Sequence, residues 1–122
     1  MAKVLIIEDN RANMTLATFL LQSAGHTVLS ATDAEAGLTL ARGEQPNLIL
    51  MDIQLPGMDG LEATVLLKGD HATRAIPVIA LTALAMKGDE ERIRAAGCDG
   101  YVAKPMNYQD FLATITAQLA RV

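Results

Sequence analysis

The sequence predicts a single α/β domain, a doubly wound (βα)5 fold in which a five-stranded parallel sheet is covered by helices. Short aliphatic runs alternate along the chain with stretches whose apolar residues have helical spacing. The runs are almost continuously apolar, which is typical of strands buried on both faces of a parallel sheet. The connections are short, and 122 residues are enough for one hydrophobic core.

The five strands are predicted from runs rich in Val, Ile and Leu, which pack well on a buried, pleated surface. They cover, in chain order, residues 3–7, 27–30, 47–51, 76–81 and 100–103. Pro77 is acceptable in the fourth run because it lies near the start of that strand. The third run leads directly into a single carboxylate, Asp52.

The first three helices are predicted from apolar spacing and from residues that begin or end helices. Asn10, Asp33 and Asp59 are suitable N-caps, because their side chains can accept hydrogen bonds from the free amides of a first turn. Gly25 is expected to end the first helix, and the second is expected to close near Gly43.

The last two helices are predicted over residues 85–96 and from residue 108 onward. Gly88 lowers helix propensity in the fourth helix by about 1 kcal/mol relative to alanine, and Gly97 is expected to end it. We expect the fifth helix to bury one apolar face, made of Tyr108, Phe111, Leu112, Ile115 and Leu119.

Composition and charge exclude several classes of protein. The net charge of −4 and the sequence pI of about 5.0 argue against binding nucleic acid through a broad basic face. Cys98 is the only cysteine, so no intrachain disulfide can form. No apolar run approaches the roughly 18 residues of a membrane span, and the N-terminus lacks the regions of a signal peptide. We therefore expect a cytoplasmic protein that binds neither nucleic acid nor membrane.

Functional side chains follow four of the five predicted strands. Glu8 and Asp9 follow the first strand, Asp52 the third, Thr82 the fourth and Lys104 the fifth. Taken singly, an acid after a strand is usually a helix cap or a loop residue. Because the carboxyl ends of parallel strands meet at one edge of the sheet, we expect these groups to converge in a crevice there.

The residue types predict phosphoryl chemistry. Three neighbouring carboxylates repel one another and require a cation, and oxygen ligands suit Mg2+, with Mn2+ as an alternative ion. Asp52 is placed to act as a nucleophile and become an aspartyl phosphate. Lys104 would offset phosphoryl charge, and Thr82 offers a hydroxyl donor beside the small residue Ala83, which leaves the backbone open.

Four motifs resemble those of response-regulator receiver domains of the CheY-like superfamily, in order and across essentially the whole chain. They are Ile-Glu-Asp-Asn at 7–10, Leu-Met-Asp-Ile-Gln-Leu-Pro-Gly-Met-Asp-Gly at 50–60, Leu-Thr-Ala at 81–83 and Tyr-Val-Ala-Lys-Pro at 101–105. Residues 85–94 and the pair Asn10 and Asn13 are also similar to DivK-type stand-alone regulators and to receiver domains of hybrid histidine kinases. This resemblance implies one receiver domain over residues 1–122, with the flavodoxin-like strand order 2-1-3-4-5.

The resemblance also implies how the site works. Asp52 would accept a phosphoryl group from a phosphohistidine, while Glu8, Asp9 and Asp52 hold Mg2+ together with the backbone carbonyl of Gln54. The protein would then catalyse only its own phosphorylation and dephosphorylation.

Four further residues have implied roles in the response to phosphorylation. Thr82 and Tyr101 would form a switch pair, in which Thr82 moves toward the phosphate and Tyr101 rotates inward. Lys104 would bond the phosphoryl group, and the peptide bond before Pro105 would be cis.

The implied partners are proteins. A sensor histidine kinase or a histidine phosphotransfer protein would donate the phosphoryl group, and we expect Arg11, Asn13 and Met14 on the first helix to meet it. A downstream target would bind the face formed by helix 4, strand 5 and helix 5.

Two alternatives remain open at the level of sequence. The chain could be a receiver domain taken from a hybrid histidine kinase, or an aspartyl-phosphate phosphatase-like enzyme. That enzyme class has an Asp-x-Asp pattern after its first strand, whereas this chain has Glu8-Asp9-Asn10 there and Gln54 two residues after Asp52.

Overall fold

The alternation of strands and helices is confirmed by the structure, a computed structural model that describes residues 2–83, 87–104 and 107–120. The elements are β1 (Lys3–Ile7), α1 (Arg11–Ser23), β2 (Thr27–Ala31), α2 (Ala34–Glu44), β3 (Leu48–Asp52), α3 (Gly60–Gly69), β4 (Val78–Thr82), α4 (Lys87–Ala95), β5 (Gly100–Ala103) and α5 (Tyr108–Leu119). The strands form one parallel sheet in the order β2-β1-β3-β4-β5, as expected. The predicted first residues of helix 4, Ala85 and Met86, lie outside the described residues.

The predicted helix caps are present. Asn10, Asp33 and Asp59 each accept a hydrogen bond from the amide three residues later, at 2.8–3.0 Å. These bonds satisfy amides that have no partner inside the helix. Gly25, just past α1, has a φ of 89°, a backbone conformation that favours glycine.

Helix α2 closes near Gly43, as predicted, but a residue other than glycine takes the left-handed position after it. The helix runs through Gly43 to Glu44, and Gln45 takes the left-handed conformation, with a φ of 48°. The Gln45 amide nitrogen Nε2 donates to the carbonyls of Arg42 at 3.1 Å and Ala72 at 2.9 Å. These bonds help to offset the backbone strain of a non-glycine residue at this position.

Tyr108 was expected to be buried, and that prediction is wrong. Its relative exposure is 56%, and the first turn of α5, residues 107–110, is exposed throughout. The fully buried residues of α5 are Phe111 and Ile115, one turn apart, while Leu112 and Leu119 are partly buried. Helical periodicity identified the buried face of α5 but not the position along the helix where burial begins.

Three strands differ by one or two residues from their predicted bounds, and β2 differs only in ending one residue later, at Ala31. β4 begins at Val78 rather than Ile76, because Pro77 has no N–H to join the ladder, although its carbonyl accepts from Ile49 N at 2.9 Å. β3 includes Asp52, which lies in register with Leu81 of β4. The acidic residue is thus the last residue of a paired strand rather than the first residue of a loop.

The sheet separates the core into two clusters because successive strand residues point to opposite faces. One cluster packs α1 and α5 against β-strand residues Val4, Ile6, Leu48, Leu50, Ile79, Leu81 and Val102. The other packs α2, α3 and α4 against Leu5, Ile7, Ile49, Met51, Val78 and Ala80. Cys98 is buried in this second cluster, 3.8 Å from the hydroxyl of Thr64.

Within the described ranges, none of the helices combines the length and the apolar character needed to cross a membrane.

Candidate functional site

The alternation of side chains explains why Glu8, Asp52 and Lys104 meet. Each follows by two residues a strand residue of the cluster beneath α1 and α5. By the same alternation, all three side chains leave the sheet on that side, at the carboxyl ends of three strands. The side chain of Asp9, the next residue after Glu8, is exposed at the mouth of the same site.

The three predicted acids form one cluster. Glu8, Asp9 and Asp52 each provide a carboxylate oxygen, and these oxygens lie within 4.8 Å of one another. Glu8 and Asp52 are almost fully buried, with relative exposures of 1% and 3%. Charges buried so closely together require counter-charges or protons.

The ammonium of Lys104 supplies one counter-charge. Its Nζ lies 2.8 Å from Glu8 Oε1 and 3.2 Å from Asp52 Oδ1, and the side chain is only 15% exposed. The backbone of Lys104 is fixed too, because its N–H donates to the Thr82 carbonyl at 2.7 Å. Burial alone would lower the pKa of Lys104, but the contacts with Glu8 and Asp52 outweigh it and raise that pKa.

Backbone amides hold two of the carboxylates. Gln54 N–H donates to Asp52 Oδ1 at 3.0 Å, and Asn10 N–H donates to Glu8 Oε2 at 3.1 Å. Sequence reasoning missed both bonds, because every residue except proline carries an amide and only the local turn decides where it points.

The two buried acids have opposite pKa shifts. Burial and the neighbouring Glu8 carboxylate raise the pKa of Asp52 to about 7, although Lys104 and the Gln54 amide act against this. Burial also opposes ionisation of Glu8, but its hydrogen bonds to Asp52, Lys104 and Asn10 lower its pKa. One ammonium between two buried carboxylates therefore favours a charged Glu8 and makes Asp52 the acid that is protonated first.

The donor set fits a divalent cation. Glu8 Oε1 is buried and lies 2.8 Å from the Lys104 ammonium, which leaves a further lone pair of this oxygen for another ligand. A buried anionic oxygen with unused acceptor capacity, next to two further carboxylates, matches the oxygen ligands that Mg2+ prefers. These groups line an open cleft of about 510 Å³, whose rim includes Asn10, Arg11, Asn13, Gln54 and Ala83.

Thr82 and Tyr101 lie on the other face of the sheet. Thr82 is 1% exposed and follows Val78 and Ala80 in the alternation, and Tyr101 is partly buried against the same cluster. The register pairs Ala80 with Tyr101, so Thr82 is diagonal to Tyr101. Both side chains therefore lie on the same face of neighbouring strands. Ala83, the next residue after Thr82, is exposed in the cleft.

The remaining predicted residues are placed as follows. Arg11 is exposed beside the cleft, Asn13 is half-buried, and Met14 packs partly against the α1/α5 cluster. Pro105, with its predicted cis peptide, lies outside the described residues. Two apolar residues that sequence reasoning assigned no role, Leu16 and Phe19, are 39% and 64% exposed on α1.

Comparisons with known proteins agree with this geometry. The sequence profile of the response regulator receiver domain matches residues 4–116. The polar-differentiation response regulator DivK of Brucella anthropi is 50% identical over 116 residues, which cover 95% of this chain and 94% of DivK.

Solved structures have the same fold. The receiver domain of the sensor histidine kinase PA1611 from Pseudomonas aeruginosa, with a magnesium ion coordinated in its active-site cleft, is 33% identical and superposes with a TM-score of 0.91, covering 98% of each chain. Chemotaxis protein CheY4 of Vibrio cholerae is 27% identical and has a TM-score of 0.90, covering 96% of this chain and 98% of CheY4.

The matched range includes every residue of the cleft and of the Thr82–Tyr101 pair. The similarity to DivK and to CheY-like receivers favours a signalling regulator, and the phosphatase-like alternative gains no support from it. The chain belongs to the response regulator receiver domain family and is a response regulator like DivK.

Proposed function

We propose that this protein is a phosphorelay switch in which Asp52 receives a phosphoryl group from a phosphohistidine. The observation that carries the proposal is the position of Asp52: a buried carboxylate at a strand end, in a cleft with two further carboxylates and one ammonium. A carboxylate oxygen of Asp52 bonds to phosphorus, the phosphorus–nitrogen bond breaks, and its electron pair stays on the donor imidazole. The protein thus promotes only its own phosphorylation and dephosphorylation.

Glu8, Asp9 and Asp52, with the backbone carbonyl of Gln54, are the proposed ligands for Mg2+, or for Mn2+ in its place. When bound, the ion offsets negative charge on the transferring phosphoryl oxygens. Lys104 provides a second positive charge, and it is already held 3.2 Å from Asp52 Oδ1. The raised pKa of Lys104 supports a charged ammonium in this role.

Thr82 and Ala83 are proposed to bind the phosphoryl group through the Thr82 hydroxyl and the open backbone, and Tyr101 to respond to Thr82. The common face and diagonal register of Thr82 and Tyr101 support this coupling. Tyr101 also lines a groove of about 270 Å³ with Arg94 of α4 and Thr114 of α5. We propose that a downstream protein binds this α4–β5–α5 face in a phosphorylation-dependent manner.

The proposed donor is a sensor histidine kinase or a histidine phosphotransfer protein, which approaches the cleft past Arg11 and Asn13. The site of action is proposed to be the cytoplasm, without nucleic acid or membrane partners. Residues 1–122 are proposed to act as one receiver domain.

Intact mass after incubation with acetyl phosphate and Mg2+ tests the proposal. We expect one phosphoryl adduct on the wild-type protein and none on Asp52→Asn. Asp33→Asn is a matched control, because it changes an exposed N-cap that asparagine can also fill, and it should be labelled like the wild type. An unlabelled wild-type protein, or a labelled Asp52→Asn, would contradict the proposal.

A further inference from the structure

Helix α3 begins directly against the strand that carries Asp52. Gly60, the first residue of α3, is buried, and its N–H donates to the carbonyl of Ile53 at 2.9 Å. Ile53 is the residue after Asp52, and its own N–H donates to the Leu81 carbonyl at 3.1 Å. The peptide that follows the acceptor is therefore held between β4 on one side and the first turn of α3 on the other.

This approach leaves no space for a side chain at position 60. A Cβ atom on Gly60 would lie 2.8 Å from the Ile53 Cα and 2.9 Å from the Asp52 carbonyl carbon, and closer still to the Asp52 carbonyl oxygen. All three atoms belong to the backbone, so no rotation of a side chain relieves the overlap. Either α3 or the Asp52–Ile53 peptide must move, because packed interiors transmit such strain.

We propose that Gly60 is a positioning residue for phosphorylation, which lets α3 seat against the Asp52–Ile53 peptide and so fixes the acceptor carboxylate relative to Glu8 and Lys104. This inference rests on the proposed function of Asp52. Gly60 touches no reacting atom and acts only through the backbone of Asp52.

The first turn of α3 is itself held in place. The buried hydroxyl of Thr64 donates to the Gly60 carbonyl at 2.8 Å, and the Asp59 side chain accepts from Glu62 N–H at 2.8 Å. Because both bonds restrain this turn of the helix, part of the overlap in a Gly60 variant would be taken up by the Asp52–Ile53 peptide at the end of β3.

The test compares Gly60→Ala with Gly69→Ala, because Gly69 ends the same helix and a Cβ there meets nothing within 4 Å. We expect Gly60→Ala to accept the phosphoryl group of acetyl phosphate roughly 10- to 100-fold more slowly. A misplacement of reacting atoms by about 1 Å lowers a rate by up to about 100-fold. Gly69→Ala should react at the wild-type rate.

A second readout separates positioning from lost stability. The amide proton of Gln54, which bonds Asp52 Oδ1, should shift in the nuclear magnetic resonance spectrum of folded Gly60→Ala. Gly97→Ala is the destabilised control, because Gly97 has a φ of 109° and a Cβ there would lie 2.8 Å from Lys68 Cγ. We expect Gly97→Ala to lose stability and to keep both the Gln54 shift and the labelling rate of its folded fraction.

A wild-type rate with an unmoved Gln54 amide in folded Gly60→Ala would overturn the inference. If Gly60→Ala does not fold, Thr64→Val takes its place, because it removes the hydroxyl bond to the Gly60 carbonyl without adding bulk. A slower rate and a moved amide in Thr64→Val would support the inference, and wild-type values would overturn it. Failure of the wild-type protein itself to be labelled would instead contradict the proposed function.

Discussion

Lys104 neutralises the charges of Asp52 and Glu8 only in part, so a further cation or a proton is needed to neutralise them fully. It shares the single ammonium of Lys104 with Glu8, and both acids are almost completely buried. Buried ion pairs of this kind contribute little net stability, because desolvation cancels much of the attraction. In the proposed function, the arrangement is preorganised for the charges of a metal ion and a phosphoryl group that bind later.

The raised pKa of Asp52 predicts a pH-dependent stability in metal-free solution. The folded protein holds a proton on Asp52 up to a pH of about 7, whereas the usual value is 3.8, so the unfolded chain releases this proton earlier. The stabilisation is complete below the unfolded value and is lost as the pH rises through 7. Between pH 5 and pH 8, we expect the free energy of unfolding of the wild type to fall by an amount on the order of 2 kcal/mol. Asp52→Asn should not show this decline.

Urea unfolding with a chelator, at pH 5 and pH 8, measures this effect. Glu8 has a lowered pKa, so its contribution is lost at acidic pH and lies outside this window. Asp33→Asn should keep the wild-type decline. An equal decline in the free energy of unfolding of the wild type and Asp52→Asn would contradict the raised pKa of Asp52.

For the individual residues of the site, the sequence predicted which side chains lie together but not which ion pairs and hydrogen bonds they form. Glu8, Asp9, Asp52 and Lys104 follow apolar strands, and parallel strand ends converge. Lys104 contacts both Glu8 and Asp52 because the side chains at the ends of three strands leave the sheet on the same side. The sequence predicts strand bounds only to within about one residue, and a shift of one residue reverses the side on which each side chain lies. Gly60 lay within a recognised motif, yet only the structure shows which backbone it touches.

Helix α3 begins against the end of the strand that carries Asp52, and its N-cap can be tested separately. Asp59 accepts from Glu62 N–H at 2.8 Å. Asp59→Ala should lower the free energy of unfolding by about 1 kcal/mol, the usual cost of losing a cap, whereas Asp59→Asn should retain most of it. Urea unfolding of the three proteins provides the measurement. An equal loss in both variants would mean that the charge, rather than the cap geometry, is what matters.

The elements were predicted well where one local rule decides them and less well where tertiary contacts do. Three N-caps were found because Asn and Asp at helix starts have a specific hydrogen-bonding role. α2 ends near Gly43, as expected, but the left-handed position is taken by Gln45, whose side chain bonds to a distant loop that the local sequence does not reveal. Tyr108 fits the helical period of α5, yet its turn is exposed.

For the whole molecule, ligand binding at the strand ends should stabilise the entire fold, because the three proposed ligand side chains come from β3 and from the residues just after β1. Above its dissociation constant, Mg2+ should raise the free energy of unfolding by about 1.4 kcal/mol for each tenfold increase in concentration. Asp9→Asn should move the onset of this rise to a higher Mg2+ concentration, because it removes a proposed ligand. Asp9 is exposed, so it can be changed without disturbing the core.

Thermal or urea unfolding over a series of Mg2+ concentrations gives the onset and the slope of this rise. Asp33→Asn should retain the wild-type onset, because it removes an acid outside the cluster. A wild-type onset in Asp9→Asn would remove Asp9 from the proposed ligand set without affecting the role of Asp52.

The alternation of side chains along β4 and β5 has a consequence for how the molecule communicates. Glu8, Asp52 and Lys104 leave the sheet on the side of α1 and α5, whereas Thr82 and Tyr101 belong to the side of α4. With Asp52 as the proposed acceptor, a phosphoryl group would be bound on the α1 side of the sheet and sensed by Thr82 and Tyr101 on the α4 side. The proposed target face, formed by α4, β5 and α5, therefore spans both sides of the sheet at its edge strand β5, whereas the donor is expected at α1.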